Sequence, residues 1–230
     1  MKRTKSPLWY ELKLAFFHGG WLLLFILPAG VLWLWLTTSI STGTPDTAGR
    51  VLEVLLPLVA ALSAAPLMNM ESQAGFAELR ASYPEPWWRL PLDRSLVAVL
   101  WTLLALGLGA LAFIASGGSL MAGSVLPSVS PTLFLMGLSM LVGNLTQNYW
   151  AAMGVGMGIW FINLAAHALL MKNVFTASLF LFAYTWPPEI VTYPVNRGLL
   201  AVTGVFWFVL NSGWYWWTLR RGLRLYGSTA

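Results

Sequence analysis

Apolar residues run along this chain in long stretches, and the rare charged side chains mark their ends. No Asp, Glu, Lys or Arg occurs from 14 to 45, from 54 to 70, from 95 to 171 or from 198 to 219. A helix crossing a bilayer needs about 20 mainly apolar residues, within a range of about 17–25. The first, second and last stretches each fit one crossing. The third is too long for one and must fold back on itself. Its turn signals fall at the Gly/Ser cluster of 115–119 with the Gly/Pro-rich 123–131, and again at Asn144, Thr146, Gln147 and Asn148. The pattern therefore predicts an all-α membrane protein with six transmembrane helices. The spans lie near 19–40, 53–70, 95–116, 130–146, 149–171 and 198–219, within a single transmembrane domain covering 1–230.

Two segments do not fit as spans. Between 173 and 193, the apolar run is cut by Pro187, Pro188 and Glu189 and is too short to cross. It reads as a re-entrant or interfacial hairpin on the outer face, where non-helical backbone must be shielded by protein or line a cavity. At the other end, 1–18 reads as a cytosolic amphipathic segment, with Leu8, Trp9, Leu12, Ala15 and Phe16 on one face. The alternative is a plain extension of span 1. Glu11 and Lys13 interrupt the pattern of a signal peptide, and the start is read as uncleaved.

Composition supports a membrane protein. The chain of 230 residues is 58% hydrophobic and 9% charged, against about 25% charged in soluble domains. With no cysteine, disulfides, Cys-ligated zinc, iron–sulfur clusters and thiol catalysis are excluded, and no redox compartment is indicated. The net charge of +5 reads as loop charge at an anionic bilayer surface, not as a nucleic-acid footprint. Six spans put Lys2, Arg3, Lys5, Lys13, Arg80, Arg89, Arg94, Arg220, Arg221 and Arg224 on one side. Arg50, Lys172 and Arg197 fall on the other. The positive-inside rule then makes both termini cytosolic. Trp214, Tyr215, Trp216 and Trp217 suit an aromatic belt at that face.

The richest cytosolic segment is 71–94. Glu71, Gly75 and Glu78 share one helical face, and Pro84 and Pro86 end the helix. The plain reading is a solvated loop; the functional one is a handle for a cytosolic partner. The order Glu71, Gly75, Glu78-Leu79, Arg80, Ser82, Pro84, Arg89 resembles the cytosolic loop after span 2 in the membrane subunit of ABC-2-type transporters. Six spans, an amphipathic start and an outer hairpin between spans 5 and 6 resemble the same family. Tyr83, Glu85, Pro86, Trp87 and Trp88 depart from it, being richer in proline and tryptophan.

That resemblance implies a permease of an ATP-driven exporter in the plasma membrane, a bacterial cytoplasmic membrane by family. Glu71, Gly75, Glu78, Leu79, Arg80, Ser82 and Pro84 would form a coupling helix seated in a separate P-loop ATPase. The chain has no P-loop sequence of its own, so ATP and Mg would belong to that partner and this chain would carry no cofactor. A second copy, or a related permease, would complete the pathway. The cargo would be hydrophobic or amphipathic: a lipid, peptide, antibiotic or drug.

Within the spans, Asn144 and Asn163 are candidate pathway residues, with packing as the default. Phe180, Tyr184 and Trp186 are candidates for an exit, against an interfacial belt. Gly154 and Gly158 form a Gly-xxx-Gly pair for helix packing or a dimer seam. Glu53 reads as a headgroup-level residue at the end of span 2; buried, it would be costly and functional. His18 and His167 fall on opposite sides and read as packing residues. No catalytic or metal site is read. An intramembrane enzyme would need converging acid–base groups, which the motifs do not show. An ion-coupled carrier would show buried ionisable groups or inverted repeats; a membrane scaffold is the remaining alternative.

Overall fold

The computed structural model describes residues 28–30, 47–67, 89–115 and 122–227. These are helices and their connections, with no strand among them. The elements are α1 (Thr47–Ala64), α2 (Arg89–Ala115), a 3₁₀ turn (Ala122–Ser124), α3 (Leu126–Thr146), α4 (Tyr149–Ala165), the short α5 (His167–Leu170) and α6 (Val174–Ser178), and α7 (Tyr193–Gly227). Among the described residues, three helices are long and apolar enough to cross a membrane, over Pro91–Ala115, Leu126–Thr146 and Tyr193–Trp217. The described residues thus form an all-helical fold with helices of membrane-spanning length and apolarity. The amphipathic start, the coupling segment 71–88 and span 1, apart from 28–30, lie outside the described residues.

Helix α3 is the hub. Of its apolar window 67% is buried, against 39% for α2 and 22% for α7. It packs along its length against α1 on one side and α7 on the other, and α4 returns against it. Met136 and Met140 of α3 meet Ala60, Ala64, Val97, Ala98 and Trp101 from α1 and α2. Higher on α1, Ala48, Val51, Leu56 and Val59 pack on Ala105 and Phe113 of α2. The outward faces of α2 and α7 expose Leu103, Leu111, Val202 and Val209, as helices bathed in hydrocarbon do.

Glycine sets the closest crossings, because small residues let helix backbones approach in an apolar medium. A Cβ on Gly204 of α7 would stand 2.8 Å from the Leu133 carbonyl carbon and 2.9 Å from the Phe134 nitrogen of α3. On α3, a Cβ at Gly137 would meet the Gly204 carbonyl oxygen at 2.9 Å. A second contact joins three helices: a Cβ at Gly156 of α4 would lie 2.7 Å from Ser139 Oγ and 3.1 Å from Ala61 Cβ. Around Gly154 and Gly158 there is open space. Close packing within the chain therefore runs through Gly137, Gly204 and Gly156, not through the Gly154/Gly158 pair.

Helix ends depart from the charge-delimited spans in consistent ways. Helix α3 starts at Leu126 instead of 130, with Pro127 in its first turn and Pro131 inside it. Proline is tolerated in a first turn, where its missing N–H has no helical partner to lose. Helix α4 stops at Ala165, and α5 follows after a break, so one continuous helix over 149–171 is not formed. Helix α7 runs from Tyr193 to Gly227, well beyond 198–219 at both ends. Arg94, read as loop charge, lies inside α2 and is buried.

Candidate functional site

The polar chemistry of the described residues gathers where the segment between α6 and α7 crosses the end of the bundle. Its residues Phe180, Leu181 and Phe182 are 0% exposed and Ala183 is 1% exposed. They pack with Ala61, Phe134, Leu135 and Leu200 in one cluster, bordered by Trp160, Trp186 and Trp207. This backbone is turn and loop, so its N–H and C=O groups must find partners outside a helical ladder. Side chains from three other helices supply them.

Glu53, in the second turn of α1, is the central acceptor. Its carboxylate accepts from the backbone N–H of Tyr184 at 2.8 Å and of Thr185 at 2.7 Å, and from Thr185 Oγ1 at 2.6 Å. It also forms an ion pair with Arg197 of α7, 144 positions away in sequence. Arg197 donates its other terminal nitrogen to the Leu181 carbonyl at 3.1 Å, and its guanidinium lies 4.9 Å from the centre of the Tyr193 ring. Next to it on α7, Asn196 Nδ2 donates to the carbonyls of Ala177, Ser178 and Phe180 at 2.9, 3.1 and 3.0 Å. From α4, Asn163 Oδ1 accepts the Leu181 N–H at 3.1 Å.

Glu53 is 0% exposed, which corrects its reading as a headgroup-level side chain. A buried carboxylate is tolerated when it is paired and its lone pairs are filled by donors; here three N–H or O–H groups and a guanidinium do so. Two sequence features stood beside it without pointing to it. Arg197 bounds the charge-free run 198–219, and Thr185 is an ordinary residue in a broken apolar run.

The other candidates are distributed as follows. Asn163 belongs to this cluster, and Phe180 is wholly enclosed within it. Tyr184 and Trp186 are half-buried on its rim, Tyr184 near Tyr193 with ring centres 6.1 Å apart. Trp186 stacks on His167 at 4.9 Å, and His167 Nδ1 contacts the Leu164 carbonyl at 3.1 Å. Asn144 stands apart at the far end of α3, where its Nδ2 donates to Asn211 Oδ1 at 3.0 Å and to the Asn211 carbonyl at 3.2 Å, tying α3 to α7. Gly154 and Gly158 are on the open face of α4. The structure thus brings Asn163, Phe180, Tyr184 and Trp186 together and leaves Asn144, Gly154 and Gly158 elsewhere. Glu71, Gly75, Glu78, Leu79, Arg80, Ser82 and Pro84 lie outside the described residues.

Comparison of the chain with protein-family models, curated proteins and solved structures finds no match. The chemistry of the cluster therefore has to be argued from its own residues. One carboxylate filled by four donors and one guanidinium bonded through both terminal nitrogens, turned toward each other and the loop, form a poor acid–base pair for catalysis, which needs a group poised to reach a substrate. Among the described residues no three His, Cys, Asp or Glu side chains gather to hold a metal ion. The arrangement is suited to holding a loop across a helical bundle.

Proposed function

We propose that the chain is the membrane permease of an ATP-driven exporter of the ABC-2 type, moving a hydrophobic or amphipathic cargo with energy from a separate P-loop ATPase. The observation that carries this reading is the order Glu71, Gly75, Glu78-Leu79, Ser82, Pro84 in a cytosolic segment set between α1 and α2. Six spans, with both termini cytosolic in a bacterial plasma membrane, complete the proposed topology. Three long apolar helices and a segment folded back between α4 and α7 support it. In this reading α1 leads directly from the outer cluster around Glu53 to the coupling segment, and the fold-back lies at the outer mouth. Two permeases, identical or related, enclose the pathway.

The test is affinity purification of the tagged chain from its native membrane in mild detergent, with mass spectrometry of what accompanies it. A stoichiometric P-loop ATPase that is lost when residues 71–84 are altered is the expected result. Recovery of the chain alone under several detergents refutes the proposal.

A second reading is favoured by one specific observation. Buried ionisable residues in a membrane protein often mark ion pathways, and Glu53 with Arg197 forms such a pair. An ion-coupled carrier would transport along a proton or sodium gradient in vesicles holding this chain and no ATPase.

A further inference from the structure

We infer that the Glu53–Arg197 pair is a releasable latch that holds residues 177–186 as a strap across the end of the helical bundle. The strap differs from the helices in where its backbone is satisfied. Each helix fills its own hydrogen-bonding groups and keeps them filled when it moves. The strap draws most of its partners from side chains of other elements: Glu53 on α1, Asn163 on α4, and Asn196 and Arg197 on α7. Its closed position therefore depends on these three helices keeping their spacing.

Glu53 is the most demanding of these anchors. It accepts from two strap N–H groups and one strap hydroxyl, and also binds the cation on α7. A shift of α1 against α7 separates the carboxylate from Arg197 and withdraws the acceptor from Tyr184 and Thr185 together. A buried ion pair adds little net stability, but separating its partners leaves an uncompensated buried charge, so intermediate spacings are disfavoured. This is the behaviour of a two-state catch. Coupled elements with two discrete arrangements are how a small displacement becomes a large opening. Glu53 lies in the second turn of α1, so a displacement of that end of the helix carries the carboxylate with it. Phe180, Leu181, Phe182 and Ala183 would then leave their cluster as a unit and uncover the end of the bundle. That this opening lets cargo out rests on the permease reading; the latch does not.

The chain has no cysteine, so an introduced thiol is unique. Ala183→Cys reports on the strap, and Ala152→Cys, wholly buried in α4, reports on the bundle. The full chain, reconstituted in lipid bilayers, is treated with a water-soluble maleimide. Ala183→Cys is expected to label slowly on its own and about tenfold faster or more when combined with Glu53→Gln or Arg197→Met, as the open population grows. Thr185→Val, which removes only the hydroxyl's bond to Glu53, is expected to give a smaller rise. Ala152→Cys is expected to stay protected in all three. The latch is overturned if Ala183→Cys labels equally in the presence and absence of these substitutions. It is equally overturned if Ala152→Cys opens in step with it even in Thr185→Val, because the pair would then hold the whole bundle. No partner is needed for this result. If it is positive and no ATPase co-purifies, the latch stands and the permease reading falls. If an ATPase is present and ATP leaves Ala183→Cys labelling unchanged, the strap is not the exit.

Discussion

Replacing Gly204 by alanine tests whether the α3–α7 crossing is as tight as its geometry implies. The added Cβ would stand 2.8 Å from the Leu133 carbonyl carbon, 2.9 Å from the Phe134 nitrogen and 3.0 Å from the Leu133 oxygen. Favourable carbon contacts lie at about 3.5–4.0 Å, so the overlap is a sizeable part of an ångström. All three obstructing atoms belong to the α3 backbone, so no side chain can rotate away. The helices must separate, and the neighbouring Gly137 contact, whose Cβ position is 2.9 Å from the Gly204 carbonyl oxygen, loosens with them. Overpacking of this kind costs about 1–3 kcal/mol. Alanine's better helix propensity, worth about 1 kcal/mol at an exposed position, offsets only part of it. Gly158→Ala is the matched control: it has the same propensity gain and nothing within 4 Å to strike. Unfolding of the purified protein by titration with sodium dodecyl sulfate in mixed micelles measures both. Gly204→Ala should lower stability, and Gly158→Ala should leave it unchanged or raise it. Equal stability of Gly204→Ala and the parent would refute the crossing. A loss confined to Gly158→Ala, accompanied by dissociation of an oligomer on size exclusion, would move the close contact to a seam between copies.

Three further outcomes are expected. Arg197→Met should destabilise the folded chain by about 3–5 kcal/mol, since it leaves the Glu53 carboxylate buried without its cation; adding Glu53→Gln to it should recover part of the loss, as read by the same titration. Asn211→Leu should cost about 0.5–1.5 kcal/mol by removing the Oδ1 acceptor of the Asn144 side chain, which keeps only the Asn211 backbone carbonyl, within the range of hydrogen bonds between membrane helices. Glu71→Ala combined with Glu78→Ala should abolish the dependence of ATPase activity on the permease in the purified complex, and an unchanged activity would sink the assignment of the coupling segment.

How far the sequence could be read depends on what its charges were doing. The charge-free runs located helices well: 95–116 lies almost wholly within Arg89–Ala115, and 130–146 within Leu126–Thr146. Membrane burial of a helix leaves that mark because each charge in hydrocarbon is expensive. The same logic failed at helix ends. A charged residue bounds the apolar stretch, not the helix, so α1 begins at Thr47 and passes through Arg50 and Glu53, and α7 begins at Tyr193 ahead of Arg197. In α2, Arg89 pairs with Asp93 one turn on, at 3.7 Å, an arrangement that continues a helix instead of ending it. Glycine spacing on one helix does not by itself locate a crossing within the chain. A Gly-xxx-Gly pair on one helix says that backbone can be approached, but the partner decides whether it is. Gly204 and Gly137, far apart in sequence and in no shared motif, make the close crossing.

The cluster around Glu53 was the hardest feature to foresee, and the reason is physical. Local patterns report on neighbours within a turn or two, whereas the carboxylate, its cation and the strap they bind come from three distant parts of the chain. Two charged residues that read as loop or headgroup-level charge on the same side of the bilayer are, in the fold, one buried ion pair. Counting them as free surface charge places the starts of both α1 and α7 too far along the chain. Treating them as a pair instead makes 180–183 part of the bundle's core: these apolar side chains are enclosed by α1, α3, α4 and α7, and the backbone around them is held by side chains of α1, α4 and α7. A segment too short to cross, too polar along its backbone for hydrocarbon and yet buried over 180–183 must be held by side chains supplied from elsewhere. Asn163, Asn196, Arg197 and Glu53 meet that requirement, and substituting any one of them should therefore be felt first in the strap and only afterwards in the helices.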